Sequence, residues 1–316
     1  MELGIALSSE ENSPLDLVRH ARAAEEAGLE FGLISDHIHP WVDAQGHSPF
    51  VWSVLGAIAQ NTERFRIGTG VTCPLIRIHP VIVAHAAATV ACLMPGRFFL
   101  GVGTGEKLNE HVTGAKWPAP DERLEMLEEA VGVMRQLWEG GYQTHRGKHY
   151  TVEHARIFDL PEEPIEVAVA AMQPQAAQLA GRIGDALVNV APKEEIVQMF
   201  DDAGGSGKPK YGQITVCWAR TKDEAKRTAF ENWPNVLAEG AASQELPMPE
   251  HFEQLVQDRS PDDIEGTIPL GPDVEEYLEQ IRQYDEAGYT HVVIHQVGAD
   301  QDGFLEFAQN ELLAKV

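Results

Sequence analysis

Glu26-Ala27-Gly28-Leu29-Glu30-Phe31-Gly32-Leu33-Ile34 closes a helix on a glycine and runs straight into a short apolar strand. Upstream, Ser13 is a natural helix cap, Pro14 suits the first helical position and Asp16 completes the cap signature. Leu17, Val18, Ala21 and Ala24 then share one helical face. The unit returns near the other end: Pro272 opens a helix, Val274, Leu278 and Ile281 face inward, Glu286-Ala287-Gly288 ends it, and Thr290–Ile294 is the strand. Helix, glycine, strand is the unit that an α/β barrel repeats.

Between these two copies the alternation continues. Leu3–Leu7, Arg66–Val71, Phe98–Val102, Ile165–Val169, Ala186–Val190 and Gln213–Trp218 read as further strands, giving eight. Helices are expected at Phe50–Ala59, Val81–Cys92, Glu122–Trp138, Gln175–Ile183 and Lys193–Asp202. Connections of this length make the strands mostly parallel, so the expected fold is α/β, a (β/α)8 TIM barrel formed by a single domain over residues 1–316. Residues 232–268, rich in proline, glycine and acid, break the rhythm and read as an insertion over the C-terminal mouth of the barrel. His145–Val152 reads as part of a small hairpin.

Composition narrows the partners. With 24 basic and 49 acidic residues the formal charge is −25, which disfavours nucleic acid. No stretch approaches the ~18 apolar residues of a membrane helix, and the opening MELGIALSSEEN lacks a signal-peptide pattern. Cys73, Cys92 and Cys217 are widely spaced, with no zinc pattern. The expectation is a cytoplasmic protein with a small-molecule substrate, no membrane or nucleic-acid partner and no metal.

The chemistry gathers after the strand ends, where a barrel presents side chains to its ligand. Ser35-Asp36-His37-Ile38-His39-Pro40-Trp41 follows the strand Phe31–Ile34 and offers an acid, two histidines and a tryptophan. Read alone, it fits either a solvated loop or a site in which a carboxylate steers a proton-exchanging histidine. Gly101-x-Gly103-x-Gly105 lacks the spacing of the dinucleotide fingerprint and alone reads as a tight turn, just as Gly70 alone reads as a strand glycine. His39 and His47 read as surface residues or as a second relay; His79, His85 and His295 read as structural.

Four motifs together carry a resemblance: Ser35–Trp41, Gly68-Thr-Gly-Val-Thr-Cys-Pro74, Pro95–Glu106 with Leu108-Asn109-Glu110, and Ala180-Gly-Arg-Ile-Gly-Asp185. Through them the chain resembles the luciferase-like monooxygenase superfamily, in the branch that uses the deazaflavin coenzyme F420. Within it the chain is most similar to the glucose-6-phosphate and secondary alcohol dehydrogenase group. The resemblance implies hydride transfer between F420 and an alcohol or carbonyl, with a homodimer as the assembly. It implies His37 as the base, Glu106 as the acid serving the ring, Trp41 beside the reacting centre and Glu10 as a further acid. Such an acid donates near neutrality only where burial favours its neutral form, so Glu106 is expected to be enclosed.

Asp36, Gly70, Val71, Cys73, Asn109, Met172, Gln173, Gln175 and Ala176 are implied as coenzyme contacts, with a cis peptide at Gly70-Val71 and glycines 101, 103 and 105 letting the backbone approach the ring. Lys193, Val190 and Trp233 are implied on the substrate side, although Lys193 also fits a plain helix-start lysine and Trp233 core packing. Relatives that bind a sugar phosphate use a threonine, two lysines and an arginine. Here one lysine remains as Lys193, and the other positions fall at Val190 and near Ser243 and Thr267, so glucose 6-phosphate is not expected. Leu246, Met248 and Phe252 are expected to make the pocket apolar. An FMN-dependent monooxygenase of the same superfamily and a non-catalytic deazaflavin-binding protein are the competing readings.

Overall fold

A computed structural model describes residues 1–238 and 242–316. Eight parallel strands close into a barrel: β1 (Glu2–Leu7), β2 (Phe31–Ile34), β3 (Arg66–Thr69), β4 (Phe98–Val102), β5 (Glu166–Ala170), β6 (Ala186–Asn189), β7 (Lys210–Val216) and β8 (His291–Gln296). They neighbour one another in sequence order, and β8 pairs with β1 to close the ring. The expected strands are all present, with ends shifted by up to three residues.

The helix Pro14–Ala27 starts as read: the Ser13 hydroxyl accepts from Asp16 N–H, and Gly28 closes it in the left-handed conformation at φ 93°. Helices Lys222–Asn232 and Gln301–Phe307 are additional to those expected. The hairpin pairs Gln143–Arg146 with Thr151–Ala155.

The barrel interior explains where a ligand can go. At the N-terminal strand ends, Phe31, Phe99, Tyr211 and His291 form an aromatic plug, with Phe99 stacked on Tyr211 at 5.1 Å and His291 4.6 Å from Tyr211. Glycine faces these rings where a side chain would collide: a Cβ at Gly68 would enter the Phe99 ring. Above the plug, Leu33, Ala168, Val188 and Val293 continue the packing. At the C-terminal ends, Ala6, Val71, Ala170, Gln213 and Thr215 are only partly buried. The barrel is sealed below and reachable from above.

Residues between Asn232 and Phe252 pack over that mouth. Trp41, Val42, Leu108, Ala238, Leu246 and Phe252 form a small apolar cluster. Gln45 ties the layers together: its Oε1 accepts from Trp41 N–H at 2.8 Å, and its Nε2 donates to the Asn232 carbonyl at 3.0 Å. Acids of this stretch have fixed partners. Glu245 accepts from Arg123 at 3.2 Å and from the Trp117 indole at 3.1 Å, and Lys226 meets Asp262 and Glu265. Nothing is described at residues 239–241, nor for the Ser243 side chain.

Candidate active site

The loop after β1 and the loop after β2 are stitched side by side. Ser9 donates through its backbone N–H to Ser35 Oγ at 2.8 Å and through its hydroxyl to the Ser35 carbonyl at 2.7 Å. That stitching sets Glu10 against His37. Glu10 Oε2 accepts from Ser35 Oγ at 2.6 Å and Ser8 Oγ at 3.1 Å, while Oε1 faces His37 Nδ1 at 3.3 Å. Burial pushes the Glu10 carboxyl up, but His37 and the Ser35 hydroxyl outweigh it and hold the group below the usual carboxylate range.

His37 Nδ1 also lies 3.2 Å from the His39 carbonyl. Its other nitrogen, Nε2, faces Glu106 Oε2 at 4.0 Å, and its ring lies 5.2 Å from Trp41. The structure thus gathers four residues singled out from the sequence: Glu10, His37, Trp41 and Glu106. The enclosure expected for Glu106 is not found. Its side chain keeps 32 % exposure because it stands at the cap of a one-turn helix, Lys107–Glu110, at the open mouth.

Asp36 is buried beneath this group and its oxygens are already engaged. Oδ2 accepts from Thr72 Oγ1 at 2.7 Å and Oδ1 from Arg77 at 2.9 Å. Arg77 also reaches Glu110, whose carboxyl burial pushes up despite the guanidinium. Asp36 is therefore built into a framework that fixes the His37 loop. Asn109 braces the same loop by accepting from Ile38 and His39 N–H at 3.0 and 3.3 Å, and its buried Nδ2 has no partner among the described residues.

The Gly70–Val71 peptide is cis. Gly101 within β4, and Gly103 and Gly105 after it, each lie against the neighbouring segment. A Cβ at Gly101 would strike the Thr69 carbonyl, one at Gly103 would meet Val71, and one at Gly105 would meet Cys73. They admit the neighbouring segment, residues 69–73. Cys73 is buried, and burial drives its thiol well above the ordinary range, so it packs as a neutral thiol.

Met172, Gln173 and Gln175 are exposed and Ala176 partly buried at the start of the helix Pro174–Ile183. The first backbone N–H groups of a helix have no partner within it and favour an anion. Val190, 50 % exposed, and the exposed Lys193 follow β6. Trp233 is partly buried, its ring centre 4.4 Å from that of His295 in an edge-to-face arrangement. Phe252 corrects the reading of an apolar pocket wall: it is fully buried, 5.3 Å edge-on to Trp41, and supports that ring from behind.

The sequence reading gave no role to Arg77, Thr72 or Glu11, and read His295 as structural. Thr72 lay inside the motif Gly68–Pro74 and Arg77 three residues past it, but neither was singled out. Glu11 and His295 are 284 positions apart, and only the closing of β8 onto β1 brings them together, at 2.9 Å.

Among the described residues no helix is long and apolar enough to cross a membrane. Residues 1–291 match the family described as luciferase-like monooxygenase. The F420-dependent glucose-6-phosphate dehydrogenase of Beutenbergia cavernae is 35 % identical over 327 residues, covering 100 % of this chain and 97 % of that one. The protein of the same name from Mycolicibacterium gilvum is 34 % identical, covering 99 % and 97 %. Among solved structures, an F420-dependent secondary alcohol dehydrogenase in complex with an F420-acetone adduct superposes with a TM-score of 0.91 at 28 % identity, over 99 % of this chain and 98 % of that one. The tetrahydromethanopterin reductase of Methanopyrus kandleri, 20 % identical over 99 % of each chain, shares the fold with a TM-score of 0.79.

Proposed function

The chain belongs to the luciferase-like monooxygenase family, and on that premise we propose that it is a coenzyme F420-dependent oxidoreductase acting between an alcohol and its carbonyl. The observation that carries the reading is His37, braced on Nδ1 by buried Glu10 and turned toward Glu106 through Nε2. The relatives' dependence on F420 and the alcohol dehydrogenase likeness support the cofactor and the CH–OH chemistry.

The chain's own groups suit F420. The unpartnered Asn109 Nδ2 offers a buried donor, and the start of the helix Pro174–Ile183, at Gln175 and Ala176, suits the coenzyme's phosphate. Val71, Gly70, Met172 and Gln173 complete the proposed contacts, with Asp36 acting from behind by fixing the His37 loop and Cys73 by packing beneath Gly105. When bound, F420 supplies a two-electron hydride acceptor.

In this reading His37 takes the alcohol proton on Nε2, because loss of a carbinol hydride is easier as the hydroxyl proton departs. Glu10 steadies the imidazolium that results, being ionised and 3.3 Å from Nδ1. Glu106 lies on the opposite side of His37, where the bound coenzyme would supply the enclosure that proton donation at Oε2 requires. Trp41 narrows the mouth and keeps water from the reacting carbon. The reverse reaction uses the same groups in opposite order.

Glucose 6-phosphate fits this reading poorly. A phosphate dianion needs several cations or donors. Val190 offers an apolar side chain at the mouth, and Lys193 stands exposed with no ion pair among the described residues. A neutral alcohol is the better guest, the enzyme working as a cytoplasmic homodimer.

The test is parallel titration with F420 and FMN, then turnover on secondary alcohols followed by the loss of F420 absorbance. Tight F420 binding with alcohol-dependent reduction supports the proposal. Preference for FMN, with oxygen consumption, would assign the chain to monooxygenation instead.

A further inference from the structure

β1 lies between β2 and β8, and two consecutive carboxylates at its mouth serve two different histidines. Glu10 faces His37 after β2, whereas Glu11 turns to His295 on β8. The second pair is as fully built as the first. Glu11 Oε2 lies 2.9 Å from His295 Nε2, Oε1 accepts from Gly298 N–H at 3.0 Å, and the two side chains are 6 % and 3 % exposed.

This pair faces into the barrel. His291, Val293 and His295 alternate on β8, and the first two belong to the interior plug and the layer above it. On β7, Tyr211, Gln213 and Thr215 share the corresponding face, and His295 is registered against Thr215. In the tautomer that donates from Nε2 to Glu11, His295 presents Nδ1 as an acceptor. Thr215 Oγ1 lies 3.4 Å from that nitrogen. In that tautomer the threonine hydroxyl donates to Nδ1 and keeps its lone pairs for a ligand. Thr215 is only partly buried, so the mouth can reach it, and the Gln213 side chain one step deeper has no hydrogen bond among the described residues. Above the apolar layer the interior carries a polar patch with one acceptor oriented by a buried acid–histidine pair.

We propose that Thr215, oriented by the Glu11–His295 pair, holds a second hydroxyl of the substrate, so that the preferred guest is a neutral diol or polyol rather than a plain secondary alcohol. This rests on the alcohol-oxidising reading above and adds the requirement for a hydrogen-bond donor away from the reacting carbon. A site shaped around a hydroxyl discriminates against the analogue that lacks its proton.

The experiment compares 2,3-butanediol with its monomethyl ether, which has the second oxygen but no proton on it. With F420 as acceptor, the wild-type ratio of kcat/KM, diol over ether, is expected to be about tenfold, equivalent to about 1.4 kcal/mol. In Thr215→Val the ratio should fall toward one. A wild-type ratio near one, or a ratio unmoved by the substitution, overturns the proposal. A readout independent of turnover uses 15N-histidine-labelled protein, with His295 assigned by His295→Gln. The diol, but not the ether, should shift the His295 ring nitrogens, and Thr215→Val should abolish the shift; unresponsive nitrogens overturn the proposal. If neither compound is oxidised, the alcohol reading fails by itself, and the nitrogen shifts still decide whether the hydroxyl site exists.

Discussion

His37 Nδ1 stands 3.3 Å from Oε1 of a Glu10 side chain that is 3 % exposed, so the base and its brace form one buried unit. Removing the imidazole should spare binding and stop chemistry. His37→Ala is expected to keep F420 affinity within a few-fold and to lower kcat by about 10²–10⁴, the range of a lost general base. Glu10→Gln keeps the shape but loses the charge that steadies the imidazolium, and should also lower kcat with little effect on coenzyme binding. Fluorescence titration and single-turnover F420 reduction separate the two quantities. Full turnover in His37→Ala would remove this residue from the mechanism.

Trp41 owes its position to a side chain that never meets the ligand. Phe252 is fully buried edge-on against it, next to Val42 and Leu108. Phe252→Ala leaves a void of nearly a whole ring and should cost about 3–5 kcal/mol of stability. Phe252→Leu should recover most of that loss in a melting experiment. If Trp41 is held from behind as described, both substitutions raise KM for the alcohol more than they change F420 affinity.

Glycines offer an internal contrast. At Gly101 a methyl group would strike the Thr69 carbonyl, which belongs to a paired strand and has no room to yield. Gly101→Ala should cost about 3 kcal/mol or more, the upper range of overpacking. Gly132, in the helix Pro120–Trp138, has nothing within 4 Å of an added Cβ. There alanine should add about 1 kcal/mol, the ordinary helical preference. Denaturant midpoints of the two variants should move in opposite directions.

These positions also mark what the sequence could and could not disclose. The repeated helix, glycine, strand unit depends on local periodicity and a local cap, and it was legible: Ser13, Gly28 and all eight strands stand where the pattern puts them. Glu10, His37, Trp41 and Glu106 were legible through motif resemblance, and the fold brings them together. The environments of those residues were not. Whether Asp36 faces a ligand or an arginine depends on Arg77, 41 positions away. What Gly101, Gly103 and Gly105 accommodate depends on the adjoining segment, residues 69–73. The Glu11–His295 pair exists only because the barrel closes. Pairwise chemistry set by barrel closure has no signature along the chain.

Acid should weaken the fold in two stages. Burial, aided by the Arg19 charge, lowers His20; burial alone lowers His79; and burial outweighs the Glu2 carboxylate to lower His291. Each is held neutral in the fold below the pH at which the unfolded chain, with an ordinary value of 6.5, takes up a proton. The unfolded state then binds more protons, so this stability is complete above about pH 6.5 and is lost as pH falls through the lower folded values. Glu10 acts in a second window. Its folded carboxyl lies below the ordinary 4.5, so its contribution is present above that value and disappears only as pH falls past it.

The overall charge works against the first effect. At −25 the protein repels itself, and approach to the isoelectric point near 4.8 relieves that repulsion. Salt separates the two, because at about 1 M the screening length is about 3 Å, which cancels surface repulsion but hardly reaches buried groups. Melting in about 1 M sodium chloride should therefore show stability falling between about pH 7 and pH 5.5, whereas low salt should flatten or mask the loss. A melting temperature independent of pH across that range in high salt would mean that the three histidines are not held neutral by the fold.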